Sequence, residues 1–139
     1  MNTKIYKAVF ALANELMSCA NKKNQAGFDE HYAQLKKICE DNDKTEKDHP
    51  VQWETLADFT DDIELAIAIY GKALAKAETI NSKDYLSSIG YSMACLQAEF
   101  GDTAGAIASL EKAKINSNKI IDKELKADIH DRLKELQDA

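Results

Sequence analysis

Two stretches of this chain repeat one another forty residues apart. The run from Asp62 to Ala73 and the run from Asp102 to Ala113 share an Asp at the first place, Ala-Ile-Ala at the fifth to seventh and Lys-Ala at the end. Self-similarity at a fixed interval of a few tens of residues marks a supersecondary unit that cannot bury its apolar face alone and must stack on a copy of itself. Within each copy the spacing is helical: Ala66, Tyr70 and Ala73, like Ala106, Leu110 and Ala113, fall at steps of four and three, on one stripe of a helix.

The same periodicity runs through the rest of the chain. Tyr6, Val9, Phe10, Ala13, Leu16, Met17 and Ala20 predict a core-facing stripe on a helix over about 3–22, and Phe28, Tyr32, Leu35, Ile38 and Cys39 predict its antiparallel partner, ending near residue 41. Residues 42–49 carry no apolar side chain and read as a solvated linker. Pro50 suits the first turn of a short helix with Trp53, Leu56 and Ala57, capped by Asp48 or His49. Asp61 and Asp62 cap the next helix, and Asn81 with Asp84 resembles a capping box opening a helix that carries Tyr85, Ile89, Met93, Leu96 and Phe100. A final helix spans 121–138. One proline and five glycines in 139 residues leave little to interrupt helices. The expected fold is therefore all-α in a single domain over 1–139: hairpins 3–41, 50–81 and 82–115, then a capping helix.

The repeated residues are similar to the second helix of a tetratricopeptide repeat, whose pattern is Gly-Asp, a small residue four places on, a large one four later and Ala after three more. Gly101, Asp102, Ala106, Leu110 and Ala113 fill it, and Asp62, Ala66, Tyr70 and Ala73 follow it with Asp61 in place of the glycine. The first helices match less closely, since Gly90 stands where a bulky residue is expected and Trp53 comes a few places late. The N-terminal hairpin is a degenerate copy, with His31 at the small position. The resemblance implies a right-handed stack of hairpins, an α-solenoid, and a concave groove lined by the first helix of each pair: Val51, Gln52, Thr55, Asp58 and Phe59, then Ser88, Tyr91, Ser92, Cys95 and Glu99. These include no Lys-Asn-Arg set of the kind that clamps a C-terminal carboxylate.

Charge narrows the function. The net formal charge is -6, and all of the excess lies between residues 50 and 113, where Lys72, Lys76, Lys83 and Lys112 face ten acids. Such a field repels phosphate backbones and anionic membranes, so neither nucleic acid nor membrane is expected as a ligand, whereas a basic protein surface is. The three cysteines, Cys19, Cys39 and Cys95, fit neither a disulfide framework nor a CxxC motif, and the N-terminal segment lacks the pure apolar core of a signal peptide, which points to the cytoplasm. His31, His49 and His130 lie on separate segments without metal-ligand spacing, and no nucleophile elbow or glycine-rich phosphate loop is present. No catalytic residue, cofactor or metal is expected.

The expected role is a non-enzymatic protein-interaction module, monomeric or weakly self-associating, whose acidic surface docks a basic protein. A toxin-neutralising immunity protein is one form of it; a small secretion chaperone or adaptor holding a peptide in the groove is the alternative. The candidate partner-binding residues are Glu54, Asp58, Asp61 and Asp62, with Trp53, Phe59, Tyr91 and Glu99. Asp61 and Asp62 also read as helix caps, and Trp53 and Tyr91 equally as core.

Overall fold

Every helix of the chain starts on a polar side chain that accepts a hydrogen bond from its own first turn. The computed structural model describes residues 2–139, and among these it has α1 (Thr3–Asn21), α2 (Gln25–Asn42), α3 (Pro50–Asp58), α4 (Ile63–Thr79), α5 (Lys83–Glu99), α6 (Thr103–Ser117) and α7 (Lys123–Asp138). The caps are Asn2, Asn24, His49, Asp62, Ser82, Asp102 and Asp122, each contributing about 1 kcal/mol by satisfying an otherwise unpaired N–H.

Three of the turns share one construction. Lys23, Asn81 and Gly101 adopt left-handed backbone, with φ of 57°, 50° and 97°. In each case the next residue is the cap of the following helix and donates its N–H back across the preceding helix end: Asn24 to the Cys19 carbonyl, Ser82 to Ala77 and Asp102 to Gln97. Gly101 is the residue suited to this conformation, whereas Lys23 bears a cost of about 1 kcal/mol there. The capping role expected of Asn81 therefore belongs to Ser82, because Asn81 is consumed in turning the chain.

Consecutive helices pack on one another, and α1 with α3, α3 with α5 and α5 with α7 also touch. The architecture is all-helical. The even helices α2, α4 and α6 use one register, counted from the cap. Asp102 is followed by buried Ala106, Leu110, Ala113 and Ser117, and Asp62 by buried Ala66, Tyr70, Ala73 and Ala77. From Asn24 the same steps reach Phe28, Tyr32, Leu35 and Cys39, the first two half-buried and the last two buried. Small residues bring α5 and α6 close: a Cβ on Gly90 would lie 3.2 Å from that of Ala113. One apolar cluster runs from Val9 and Leu16 on α1 to Leu86 and Ile89 on α5, and a second joins Ala94, Ala106, Leu110 and Ala113 to Ile129 and Leu133 on α7.

Within the connection 42–49, Lys44 to Lys47 are exposed, as the composition suggests, but its two ends are drawn into the fold. Asn42 closes α2, and Lys76 of α4 reaches back to the connection with its Nζ 2.5 Å from Asp43 Oδ1 and 2.6 Å from Asp48 Oδ2. The Asp48 side chain is only 8% exposed and also accepts the Trp53 indole N–H at 2.9 Å. Burial pushes its carboxyl up, but hydrogen bonds from Lys76, the Lys44 N–H and Trp53 outweigh it and hold the group below the ordinary range. An acidic segment has thus been drawn into the fold by a lysine thirty residues away in sequence, a pairing no local pattern announces.

On α1 the apolar stripe divides. Val9, Leu16 and Cys19 are buried, whereas Tyr6, Phe10 and Met17 are 41%, 60% and 54% exposed. Phe100 is likewise exposed, beyond the last turn of α5.

Candidate functional site

The eight candidate residues do not form one patch. Trp53 is 3% exposed and belongs to the core, its ring covered by the Lys72 and Lys76 ammonium groups at 4.9 and 5.5 Å from its centre. It cannot serve as a surface anchor, because the ring is buried and its indole N–H is already donated to Asp48. Phe59 packs edge-on against Phe28, and Asp61 and Asp62 sit at the α3–α4 turn beside Phe28 and Tyr32, Asp62 as the cap of α4. Tyr91 lies half-buried on α5 against the second apolar cluster, and Glu99 is exposed at the end of the same helix. Gln52, expected in the groove, is 1% exposed and donates its amide to the Lys47 carbonyl.

Glu54 and Asp58 are brought together, and with more structure around them than their spacing implied. They stand one turn apart on α3, the helix between α1 and α5. Ser88 of α5 donates its hydroxyl to Glu54 Oε2 at 3.0 Å, and Tyr70 of α4 donates to Asp58 Oδ1. Glu54 is half-buried. Burial, and then the neighbouring Asp58 carboxylate, push its pKa from an ordinary 4.5 up to about 7, the Ser88 hydrogen bond opposing them. Asp58 keeps contact with solvent, but the protein around it removes enough water to raise its carboxyl as well, against the Tyr70 hydrogen bond. The Tyr70 hydroxyl is in turn driven upward by burial and by the two carboxylates. Among the described residues no lysine or arginine pairs with either acid.

The N-terminal ends of α3 and α5 meet beside this pair. His49, the cap of α3, lies edge-on to Tyr85 of α5 with ring centres 5.2 Å apart. Burial, and then the Glu54 carboxylate, raise the Tyr85 hydroxyl above its ordinary range. Tyr70 and Tyr6 were legible only as core positions in the sequence, since an apolar stripe does not say how wide a face its helix buries.

Other cavities are shallower in chemistry. A cavity of about 420 Å³ between α2 and α4 is floored by Trp53, Leu56 and Ile69 and rimmed by Lys36 and Lys72 against Glu40 and Asp43. Its charges balance. Among the described residues no three metal-ligating side chains come together, and no helix is long and apolar enough to cross a membrane.

Comparison with family models, with curated proteins and with solved structures yields no match.

Proposed function

We propose that this chain is a non-enzymatic binding module that docks a basic protein on its odd-helix face, with Glu54 and Asp58 at the centre of contact. The observation that carries the proposal is that two carboxylates stand one turn apart on α3, Glu54 half-buried and Asp58 exposed, with no lysine or arginine paired to either among the described residues. A pair held in that state is unfavourable until a positive group arrives. A partner's arginine or lysine would supply one and would be attracted over distance by the negative field of residues 50–113. In this reading the helices form a tetratricopeptide-like stack, consistent with the shared register of α2, α4 and α6, and the odd helices line its groove.

A toxin-neutralising immunity protein covering a cationic active surface is the specific form we favour. A secretion chaperone or adaptor is the second reading, supported by the length of helix surface available to an extended client. The test is affinity capture from native cell lysate with the wild-type chain and with Glu54→Gln/Asp58→Asn. One basic partner, held by the wild type, released by salt and lost in the variant, is the expected result. Many unfolded clients would favour the chaperone. A partner held equally by both proteins, at a rate unchanged by salt, would remove the acidic docking face.

A further inference from the structure

The far side of α3 from Glu54 and Asp58 is the floor of a trough. Trp53 and Leu56 lie about 100–160° round that helix from the two acids, and α2 and α4 rise on either side. No Cα of α2 comes within 8 Å of α4, so the two helices are walls with a gap between them. The walls run parallel. Tyr32, in the first half of α2, meets Thr60, just before α4, hydroxyl to hydroxyl at 2.7 Å, and Asp43, just after α2, meets Lys76 near the end of α4. Two cavities open along the gap and adjoin, since Tyr32 and Leu65 line both. The larger, of about 420 Å³, has the apolar floor of Trp53, Leu56 and Ile69. The smaller, of about 220 Å³, is lined by Asp29, Asp61 and Asp62 and by no base. Asp62 spends one oxygen on the Leu65 N–H and Asp29 one on the Gln25 amide, but among the described residues none of the three acids makes an ion pair. Leu65, at the junction of the two cavities, is 51% exposed.

We infer that this trough is a second binding surface, which takes an extended segment of a partner protein carrying one bulky apolar side chain and, three residues from it, an arginine or lysine. The inference goes beyond the docking face proposed above, which uses the other side of α3. Volume, charge and spacing each point to this occupant. The larger cavity has room for one or two side chains, whereas two turns of a helix 10 Å across fill about 800 Å³. A side chain therefore enters while its backbone passes over. Lys36 and Lys72 balance Glu40 and Asp43 around that cavity, so it selects by apolar fit. The three acids next to it select a cation and repel an anionic segment. Lys23, which lines the next cavity with Asp61, marks the limit of the acidic stretch. Asp62 and Ile69 are two turns apart on α4, about 10 Å along its axis, a span that an extended chain covers in three residues of about 3.3 Å each.

Trp53 is the single tryptophan of the chain and floors the larger cavity, so its emission reports occupancy. The test titrates the intact protein with four capped peptides that lack tryptophan. The first sets arginine and phenylalanine three residues apart in a serine background; the others put serine for the phenylalanine, serine for the arginine, or glutamate for the arginine. The proteins are the wild type, Ala68→Phe, Asp29→Asn/Asp61→Asn and Glu54→Gln/Asp58→Asn, with circular dichroism confirming that each folds. Ala68 is exposed on the α4 wall, so phenylalanine there fills the gap and leaves the core untouched, and Asp62 is kept as the cap of α4. The first peptide should shift the emission of the wild type and of Glu54→Gln/Asp58→Asn equally. It should bind about tenfold more weakly to either trough variant, as should each control peptide to the wild type, for the loss of one apolar burial or one charge pair. Equal binding by the peptide without phenylalanine, or undiminished binding to Ala68→Phe, would overturn the inference by reducing it to attraction of any cation. Equal binding by the glutamate peptide, or no shift in emission up to about 1 mM peptide, would also overturn it. Binding lost in Glu54→Gln/Asp58→Asn and kept in both trough variants would return the ligand to the docking face. A silent trough in a protein that still captures a basic partner through Glu54 and Asp58 would end this inference and leave the proposed function standing.

Discussion

Glu54→Gln should make the protein more stable at pH 8 and leave it unchanged at pH 4. Folding raises the Glu54 carboxyl from 4.5 to about 7, so between those values the folded state holds a proton that the unfolded chain has released. Stability then falls as pH rises through that window, and above it the full penalty of a charged, half-buried carboxylate is in place. At about 1.4 kcal/mol for each pH unit of displacement, that penalty is about 3 kcal/mol. Glutamine removes the titration, keeps an oxygen to accept the Ser88 hydroxyl and has nearly the same helix propensity. Urea denaturation of both proteins from pH 4 to 8.5 at constant ionic strength measures the difference. The gap should open between pH 4.5 and 7 and saturate near 3 kcal/mol, with the denaturant slope unchanged. A gap that is constant with pH, or absent throughout, would refute the placement of Glu54 in a water-poor site without a cation.

Lys76→Met should destabilise the fold by about 3 kcal/mol at neutral pH, because it leaves the nearly buried Asp48 without its cation. Asp48 is held below its ordinary 3.8 when folded, so its contribution is present above that value and disappears as pH falls through the lower folded value; the deficit of the variant, followed by urea denaturation, should therefore shrink in acid. Gly71→Ala, on an open face of α4 with nothing within 4 Å of the new methyl, should raise stability by about 1 kcal/mol, whereas Gly101→Ala, at φ 97°, should lower it by about the same amount; thermal denaturation distinguishes the two. Thiol labelling under native conditions should modify Cys95 first. Cys39 is fully buried, donates to the Gln52 carbonyl and is pushed up to about 12 by burial and then by Asp48 and Glu40, and Cys19 is 7% exposed, so both should react only on unfolding, as mass spectrometry of time points would record.

The helices were legible because caps and stripes are local. Asp62 and Asp102 announce α4 and α6, and the four-four-three spacing behind them names Ala66, Tyr70 and Ala73 as inward-facing before any coordinates are consulted. What failed depends on partners distant in sequence. Asp48 looks solvated until Lys76 is folded onto it, and Trp53, open in the sequence to a core or an anchor role, is core. Asn81 looks like a cap until the left-handed turn claims it. On α1, Tyr6, Phe10 and Met17 share a broad apolar face with Val9 and Leu16, and only the positions of α2 and α3 decide which edge of that face is covered. The Glu54–Asp58 spacing was visible from the sequence, but their hydrogen-bond partners were not, since Tyr70 and Ser88 come from two other helices.

Folded chains open locally in cooperative units, starting where the fewest contacts hold them. By chain length alone that place would be the connection from Asp43 to His49, the longest stretch between consecutive helices. The Lys76 clasp ties it to α4, while the indole of Trp53 fastens the same carboxylate to α3. Fraying is thereby redirected to the C-terminal end, where α7 rests on Ile129 and Leu133. The first two hairpins, whose α1 and α3 also touch, are left to melt together.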